Sequence, residues 1–222
     1  SDPSFSLDQP IEITNKMVLE RLQENMALYD KNGELHYDII SAFIKSIRGS
    51  DPDAAVYYLA RMLEGGEDIK FIARRLVILS SEDIGLADSR GLGIAVDAFR
   101  AVEVIGIPEG AYALTHATVY LATAPKSNSL ANAITSAREV VERTPGADVP
   151  LHLRSAATAG ERAIGHGGGY TYPHDDPLGV VTQQYLPDEA TGATLYRPGD
   201  HGEESEIGER LRRIDRILGR RR

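Results

Sequence analysis

Phosphate binding can be tested first, because the residues that perform it occur in a fixed order. A Walker A site needs a glycine-rich turn whose N–H groups bind phosphate, followed directly by Lys and then Ser or Thr. None of the lysines at positions 16, 31, 45, 70 and 126 follows a glycine, and no Walker B motif is present. The glycine-rich stretch 165–169 has no lysine and no preceding strand, which favours a structural turn. The sequence therefore predicts that this chain neither binds nor hydrolyses ATP by itself.

No other group of polar residues has the spacing of a catalytic or metal site. The histidines include no pair at i and i+4 around a glutamate, which is the spacing of a helical zinc site. The segment 172–176 could bind a metal through one imidazole and two carboxylates, although a hydrogen-bonded turn is its more typical structure. Glu82 and Asp83 are adjacent rather than facing, which favours the start of a helical turn over acid–base catalysis. We expect no catalytic residue, metal or cofactor in this chain.

Cations are concentrated at the end of an otherwise acidic chain. The formal net charge of −9 argues against a protein that binds nucleic acid over its whole surface. From Glu209 to Arg222, however, seven arginines accompany only two acids. The candidate DNA or phosphate contacts are Lys45, Arg48, Lys126, Arg220, Arg221 and Arg222. The first three lie near predicted helix ends, where a cation can instead stabilise the terminal carbonyl groups.

The composition is that of a globular protein. Hydrophobic residues make up 42% of the chain and charged residues 26%, which does not indicate disorder or a fibre. The absence of cysteine excludes disulfides and thiolate nucleophiles. No apolar run approaches the roughly 18 to 20 residues of a membrane span, and the first ten residues lack the order of a signal peptide. We expect a cytoplasmic protein.

Apolar residues recur every three or four positions along the first 145 residues, which predicts amphipathic helices. Thr14 can cap a first helix that runs to about Asn25. A second helix has an apolar stripe that begins with Tyr37, expected in the core, and it ends at Gly49 in a left-handed conformation. Further helices are expected from Pro52 to Gly65, over 69–79, from about Asp88 to Ile105, over 111–124 and after Asn128. Short loops between them predict an antiparallel helical array.

The last third of the chain has a different pattern. Glycine, proline and tyrosine are frequent between Gly165 and Gly202, and apolar side chains among them predict an ordered wrap over the helical body. The runs 180–186 and 193–196 could pair as a short β-ribbon. A final helix from Glu204 to about Leu218 has one apolar face, so only some of its arginines are expected to face outward. The predicted fold is mainly α.

Several longer strings occur in a fixed order: His36–Ala55, Ile72–Leu76, Ser81–Asp88, Ala124–Asn128, Pro150–Arg154, Tyr172–Asp175 and Tyr185–Asp188. They resemble, in the same order, strings of the replication-associated recombination protein A (MgsA/RarA) family of AAA+ ATPases, relatives of Werner-helicase-interacting protein and of clamp loaders. One departure follows Arg154, where the family usually continues with Asn and then Ala-Pro-Thr-Lys. The stretch 155–159 here lacks both the proline and the lysine, so an anion contact made there in relatives is not expected in this chain.

The resemblance implies a fold like the collar of clamp loaders and a homotetramer. It further implies that ATP and Mg²⁺ bind in an AAA+ module outside this chain, in a DNA-dependent ATPase that acts at stalled forks. The implied partners are single-stranded or forked DNA and single-strand-binding protein, without a membrane, at a cytoplasmic, nucleoid-associated location. On this basis residues 1–13 are disordered or derived from expression, 14–145 form a helical oligomerisation domain, and 146–222 form an extension that packs on it and ends in a basic helix.

Two hypotheses from different classes remain. The first is a non-catalytic region for oligomerisation and partner binding, favoured by the apolar helix faces and the family strings. The alternative is a DNA-binding module in its own right, favoured by the terminal arginines, and its signature would be a steep dependence of affinity on salt. A free-standing enzyme is a third hypothesis, for which the sequence offers no site.

Overall fold

The structure, a computed structural model, describes residues 14–20 and 33–220. This part of the chain is mainly helical, which confirms the predicted fold class. The first six helices with complete bounds are α1 (Gly33–Arg48), α2 (Pro52–Glu64), α3 (Ile69–Leu79), α4 (Gly91–Ile105), α5 (Gly110–Thr123) and α6 (Ser129–Arg143). They are followed by a short helix, α7 (Ala159–Ala163), and by the last helix, α8 (Glu204–Leu218).

Residues 15–20 are also helical. The Thr14 hydroxyl accepts a hydrogen bond from the N–H of Met17 at 3.3 Å, which is the predicted cap. The rest of the first predicted helix and the N-terminal segment 1–13 lie outside the described residues.

The chain divides into two compact units. The first contains the described residues up to Val77 together with Ala95–Thr123. In it α1, α2 and α5 pack against one another. Their inward side chains are completely buried, and each contributes roughly 1.5–3 kcal/mol through removal of apolar surface from water. The largest of these side chains are Phe43, Ile47, Leu59, Met62, Leu114 and Leu121.

The buried face of α1 differs from the predicted stripe at its first turn. Tyr37 was expected in the core, but it is 71% exposed. The buried positions are instead Ile39, Ile40, Phe43 and Ile47. Successive residues of a helix are rotated by about 100°, which places Tyr37 well to one side of the buried face. Its spacing in the apolar stripe therefore predicted its burial wrongly.

The break between α1 and α2 is formed by a different residue from the one predicted. Ser50, not Gly49, has the left-handed conformation, with φ of 60°. The N–H of Asp51 bonds the carbonyl of Ser46 at 2.9 Å, which closes the last turn of α1. The Asp51 carboxylate then accepts from the N–H of Ala54 at 2.9 Å and caps α2. Gly49 is needed for space, since a Cβ there would lie 3.1 Å from the carbonyl oxygen of Lys45.

The second unit contains Ile78–Ile94 and the residues from Ala124 onward. A π-helical turn, Ser80–Ile84, follows α3. The next helix, α4, begins at Gly91, three residues later than the predicted start at Asp88. The Asp88 carboxylate accepts from the N–H of Arg90 at 3.1 Å just before that start. The N–H of Ser127 bonds the carbonyl of Asp83 at 2.7 Å, which ties the segment before α6 to the π-helical turn.

The predicted β-ribbon was wrong. Between 180 and 196 the described chain contains no strand, only irregular structure and the short 3-10 turn Asp188–Ala190. Its backbone groups bond side chains instead of a neighbouring strand: Gln184 O lies 2.8 Å from His152 Nε2, and Gln184 Nε2 donates to the carbonyl of Leu186 at 2.9 Å. The β-branched and aromatic residues had suggested pairing, but glutamine side chains and the distant His152 supply the partners instead.

In the described residues, no helix has both the length and the apolar character needed to cross a membrane.

Candidate nucleic-acid interface

The helix that carries the terminal arginines starts at a buried carboxylate. Glu204, the first residue of α8, is completely buried. Its side chain accepts hydrogen bonds from the hydroxyls of Ser127 and Ser129, from the Tyr196 hydroxyl at 2.9 Å and from the N–H of Gly199 at 3.0 Å. Four donors from two separate stretches of chain therefore hold the start of the arginine helix in place.

The surroundings of this carboxylate decide its charge. Burial alone would raise the pKa of Glu204, but the hydrogen bonds from Ser127, Ser129, Tyr196 and Gly199 outweigh burial and hold the pKa below its usual value. Burial, together with the hydrogen bond to Glu204 and its charge, raises the pKa of Tyr196 to about 12. Glu204 is therefore an anion at neutral pH and Tyr196 a neutral donor.

Sequence reasoning missed this cluster. Glu204 was interpreted only as the start of a helix, and Ser127 and Asn128 only as a cap. Asn128 makes no side-chain cap bond, although the Ser127 hydroxyl oxygen does accept from the N–H of Ser129 at 3.2 Å. The carboxylate and its serine partners are 75 to 77 residues apart, so no local spacing could reveal them.

Beyond Glu204, the arginines of α8 face solvent. Its apolar side chains Ile207, Leu211, Ile214 and Leu218 are only half-buried, whereas Arg210, Arg212, Arg213 and Arg216 are all exposed. The expectation that only some arginines face outward was thus wrong for the described ones. None of these four arginines makes an ion pair with a carboxylate of the described residues. Arg212, Arg213, Arg216 and Arg220 line an open concavity together with Glu209 and Asp215.

The helix ends in a left-handed glycine. Gly219 has φ of 64°, and the N–H of Arg220 bonds the carbonyl of Asp215 at 2.9 Å. The Arg220 guanidinium also donates to the carbonyl of Gln183 at 3.4 Å. Arg220 is therefore exposed but tied down at both backbone and side chain, whereas Arg221 and Arg222 lie outside the described residues.

The other predicted contacts are distributed over both units. Lys45 and Arg48 are exposed in the last turn of α1, in the first unit. Lys126, in the second unit, is half-buried, and its ammonium group donates to the carbonyl of Ala124 at 2.5 Å. Burial lowers the pKa of Lys126, and the charge of Asp83 opposes that shift. Lys126 thus has structural partners, while the role of all these cations toward DNA stays a prediction.

The segment with metal-like composition forms a turn. Residues Pro173–Asp175 make one 3-10 turn, in which the N–H of Asp175 bonds the carbonyl of Tyr172 at 3.1 Å. The ring of His174 lies 5.0 Å from that of Tyr172. The expected hydrogen-bonded turn is confirmed. Among the described residues no three His, Asp or Glu side chains are grouped as metal ligands.

A second surface of interest lies in the first unit, where α4 connects to α5. Four apolar side chains within nine residues are exposed there: Val104, Ile105, Ile107 and Tyr112. Within the connection, the N–H of Gly110 bonds the carbonyl of Gly106 at 2.7 Å. Within the same unit, the alanine-rich helix α5 buries Ala117 and Ala122.

Together, this helical fold and the comparisons with known sequences define the chain as the C-terminal region of an AAA+ ATPase. A family model described as AAA C-terminal domain matches residues 2–48. A second, described as MgsA AAA+ ATPase C terminal, matches residues 49–215, most of the chain. The chain belongs to this MgsA AAA+ ATPase C-terminal family, which confirms the resemblance seen in its sequence strings.

Curated relatives agree with this assignment. An uncharacterized AAA domain-containing protein of Mycobacterium tuberculosis is 50% identical over 95% of this chain and 47% of its own length. Replication-associated recombination protein A of Bacillus subtilis is 43% identical over 89% of this chain and 47% of its own length. The ATPase WRNIP1 of Dictyostelium discoideum is 44% identical over 80% of this chain and 20% of its own length. The chain thus spans less than half the length of these relatives.

Proposed function

We propose that this chain is the non-catalytic region through which a replication-associated AAA+ ATPase assembles into a homotetramer and binds its partners at stalled forks. The observation that carries the proposal is the exposed apolar surface between α4 and α5. Val104 is 85% exposed and Tyr112 79%, and Ile105 and Ile107 are each more than half exposed. Four exposed apolar side chains within nine residues favour a protein interface over a solvated surface.

The chemistry of the parent protein is assigned to the part outside this chain. Relatives are named AAA domain-containing protein, ATPase and replication-associated recombination protein. ATP and Mg²⁺ would bind in that AAA+ module, and this chain would hold four such modules together without a cofactor of its own. Single-stranded or forked DNA and single-strand-binding protein are the partners that fit the role, at a cytoplasmic, nucleoid-associated location.

Light scattering tests the assembly directly. The chain should have four times its 24.2 kDa mass at micromolar concentration. Changing Val104→Asp together with Tyr112→Asp should reduce the mass toward that of one chain, because a carboxylate buried in an apolar interface is strongly unfavourable. Val141→Asp is the matched control: Val141 is 69% exposed, on α6 in the second unit. A monomeric unmodified chain, or a double variant with unchanged mass, would contradict the proposal.

The alternative function is a DNA-binding module in its own right. It is favoured by the exposed arginines of α8, which have no carboxylate ion pair in the described part of the chain. Phosphates are the natural partners of such guanidinium groups. Fluorescence anisotropy with a labelled single strand distinguishes the two functions, since the assembly variants should keep the affinity of each chain for DNA if α8 binds it directly.

A further inference from the structure

Three exposed tyrosines lie in the irregular segment that precedes α8. Tyr170, Tyr172 and Tyr185 are 44%, 53% and 47% exposed. Rings of this size are normally buried for much of their surface, because they contribute a large apolar area. Neither assembly through α4 and α5 nor phosphate binding by α8 explains why these three rings face solvent.

A glutamine side chain connects the two stretches of chain that carry these tyrosines. Gln183 Oε1 accepts from the N–H of Thr171 at 3.2 Å, and Gln183 Nε2 donates to the carbonyl of Thr171 at 3.0 Å. The same Nε2 donates to the hydroxyl of Tyr185 at 2.8 Å. Since Tyr170 and Tyr172 flank Thr171, this one amide links the stretch of chain that carries these two rings to the hydroxyl of the third. The Tyr172 ring also lies 5.0 Å from the ring of His174, yet it keeps 53% of its surface exposed.

The end of the arginine helix reaches the same region. The Arg220 guanidinium donates to the carbonyl of Gln183, the residue that joins the tyrosines. Arg216 is exposed and lines the same open concavity as Arg220. Two carboxylates, of Asp175 and Asp176, follow Tyr172, and Asp176 Oδ1 accepts from the N–H of Leu178 at 2.8 Å. Asp188 Oδ1 accepts from Gln184 Nε2 at 2.6 Å, so three carboxylates accompany the two arginines in this region.

We propose that Tyr170, Tyr172 and Tyr185, with Arg216 and Arg220 at their edge, bind single-stranded nucleic acid by stacking on its unpaired bases. Exposed aromatic rings beside guanidinium groups are the usual combination for this ligand, and every base has a face that can stack. Because the nearby carboxylates oppose phosphate binding, base stacking supplies most of this contact. Duplex nucleic acid is excluded, because its bases are already stacked on each other. The inference extends the alternative function above and rests on it only for the phosphate contacts of the two arginines.

The chain contains no tryptophan, so one introduced tryptophan reports the contact directly. Tyr172→Trp should keep the stacking surface, and its fluorescence should be quenched by a thymidine 20-mer and by a uridine 20-mer. Quenching by both strands would show that the rings bind single-stranded DNA and RNA alike, and quenching by the thymidine strand alone would show that they bind DNA. An abasic 20-mer of the same charge should give little quenching. Equal quenching by the abasic strand, or binding without quenching, would overturn the proposal.

Substitutions measured by anisotropy provide the second test. Tyr172→Ala should weaken thymidine 20-mer binding at least about fivefold, the lower bound for loss of one stacked base. Tyr172→Phe should restore the affinity, because the ring is retained. Tyr57→Ala is the control, since Tyr57 is 59% exposed on α2 in the first unit. The loss in Tyr172→Ala should be the same at low and high salt, in contrast to the loss of an arginine. An unchanged affinity, or a loss that disappears at high salt, would count against stacking.

Light scattering separates this inference from the assembly proposal. Tyr172→Ala and Tyr172→Trp should have the same mass as the unmodified chain. A monomeric Tyr172→Ala would show that a second copy of the chain, and not a base, covers these rings.

Discussion

The hydroxyl of Tyr196 donates a 2.9 Å hydrogen bond to Oε1 of Glu204, a carboxylate with no exposed surface. Ser127, Ser129 and the N–H of Gly199 complete its set of donors. This relationship determines where α8 begins, and therefore where the exposed arginines are presented. A buried carboxylate without these donors would be strongly destabilising.

Loss of the carboxylate should destabilise the fold. We expect Glu204→Ala to lower the free energy of unfolding by about 2–4 kcal/mol, because three hydroxyl donors lose their acceptor in a buried site. Urea denaturation followed by circular dichroism measures the change. Glu206→Ala is the matched control on the same helix, since Glu206 is exposed and should change stability by no more than about 0.5 kcal/mol. Equal midpoints for both variants would show that the cluster has no energetic importance.

Alkaline pH should weaken the stabilising hydrogen bond from Tyr196 to Glu204. Burial and Glu204 raise the pKa of Tyr196 to about 12, whereas an unfolded tyrosine loses its proton near pH 10. The folded state therefore keeps the proton to a higher pH than the unfolded state does. The contribution of Tyr196 to the free energy of unfolding is complete below about pH 10 and is lost as the pH rises to about 12. Between these values the unmodified chain should lose stability more steeply than Tyr196→Phe. Parallel pH profiles of unfolding free energy for the two proteins would contradict this assignment.

Two glycines should respond to alanine with opposite signs. Gly202 has φ of 55°, and a Cβ there would meet the carbonyl of Ala87 and lie 2.8 Å from Cγ of Pro125. Gly202→Ala should therefore cost about 2–4 kcal/mol of stability, from strain and overpacking together. At Gly93, within α4, a Cβ would have no neighbouring atom within 4 Å.

Gly93→Ala should for that reason raise stability by about 0.5–1 kcal/mol through helix propensity alone. Thermal unfolding of the two variants beside the unmodified chain measures both effects. A Gly202→Ala protein as stable as the Gly93→Ala protein would mean that the segment before α8 does not approach Ala87 as closely as the structure has it.

The helices could be predicted because their signals are local. The apolar repeat and the cap at Asp51 place α2 within a residue or two, and α8 begins at the predicted Glu204. Tyr37 was misassigned because an apolar residue on a helix does not reveal which neighbours cover it. The ribbon was misassigned because strand propensity is local, whereas the partners of 180–186 are residues at 152 and 171.

The candidate sites were less predictable for the same physical reason. Composition was enough to locate the arginines of α8, but their exposure depends on how far the helix packs onto its unit. Glu204, Tyr196 and the two serines form a cluster through contacts between distant positions, as do Gln183 and Thr171. Polar residues of these types are common in loops and helix caps, so their sequence positions alone do not distinguish a bridging role from a local one.

The missing Walker lysine predicts the behaviour of the chain toward nucleotide. We expect no heat of binding when Mg-ATP is titrated into the 222-residue chain, and no phosphate release on incubation. The control is a longer protein of the same family that includes its AAA+ module, measured under the same conditions. Micromolar binding of Mg-ATP to the shorter chain would place a nucleotide site in it and overturn the assignment of ATP to the other module.

Deleting Arg220–Arg222 should weaken single-stranded DNA binding in a strongly salt-dependent way. Each phosphate neutralised on a single strand contributes about −0.7 to the slope of log affinity against log salt, so three arginines account for a slope of about −2. Four such ends in a tetramer would add avidity, while the net charge of −9 on each chain opposes binding elsewhere. Fluorescence anisotropy at two salt concentrations measures this slope. Arg143→Gln is the control, because it removes an exposed cation from another helix. Arg220→Lys should lose less affinity than the deletion, because it keeps the positive charge at position 220 and alters only the bond to Gln183. An unchanged affinity and slope would mean that the terminal arginines only solubilise the end of the chain.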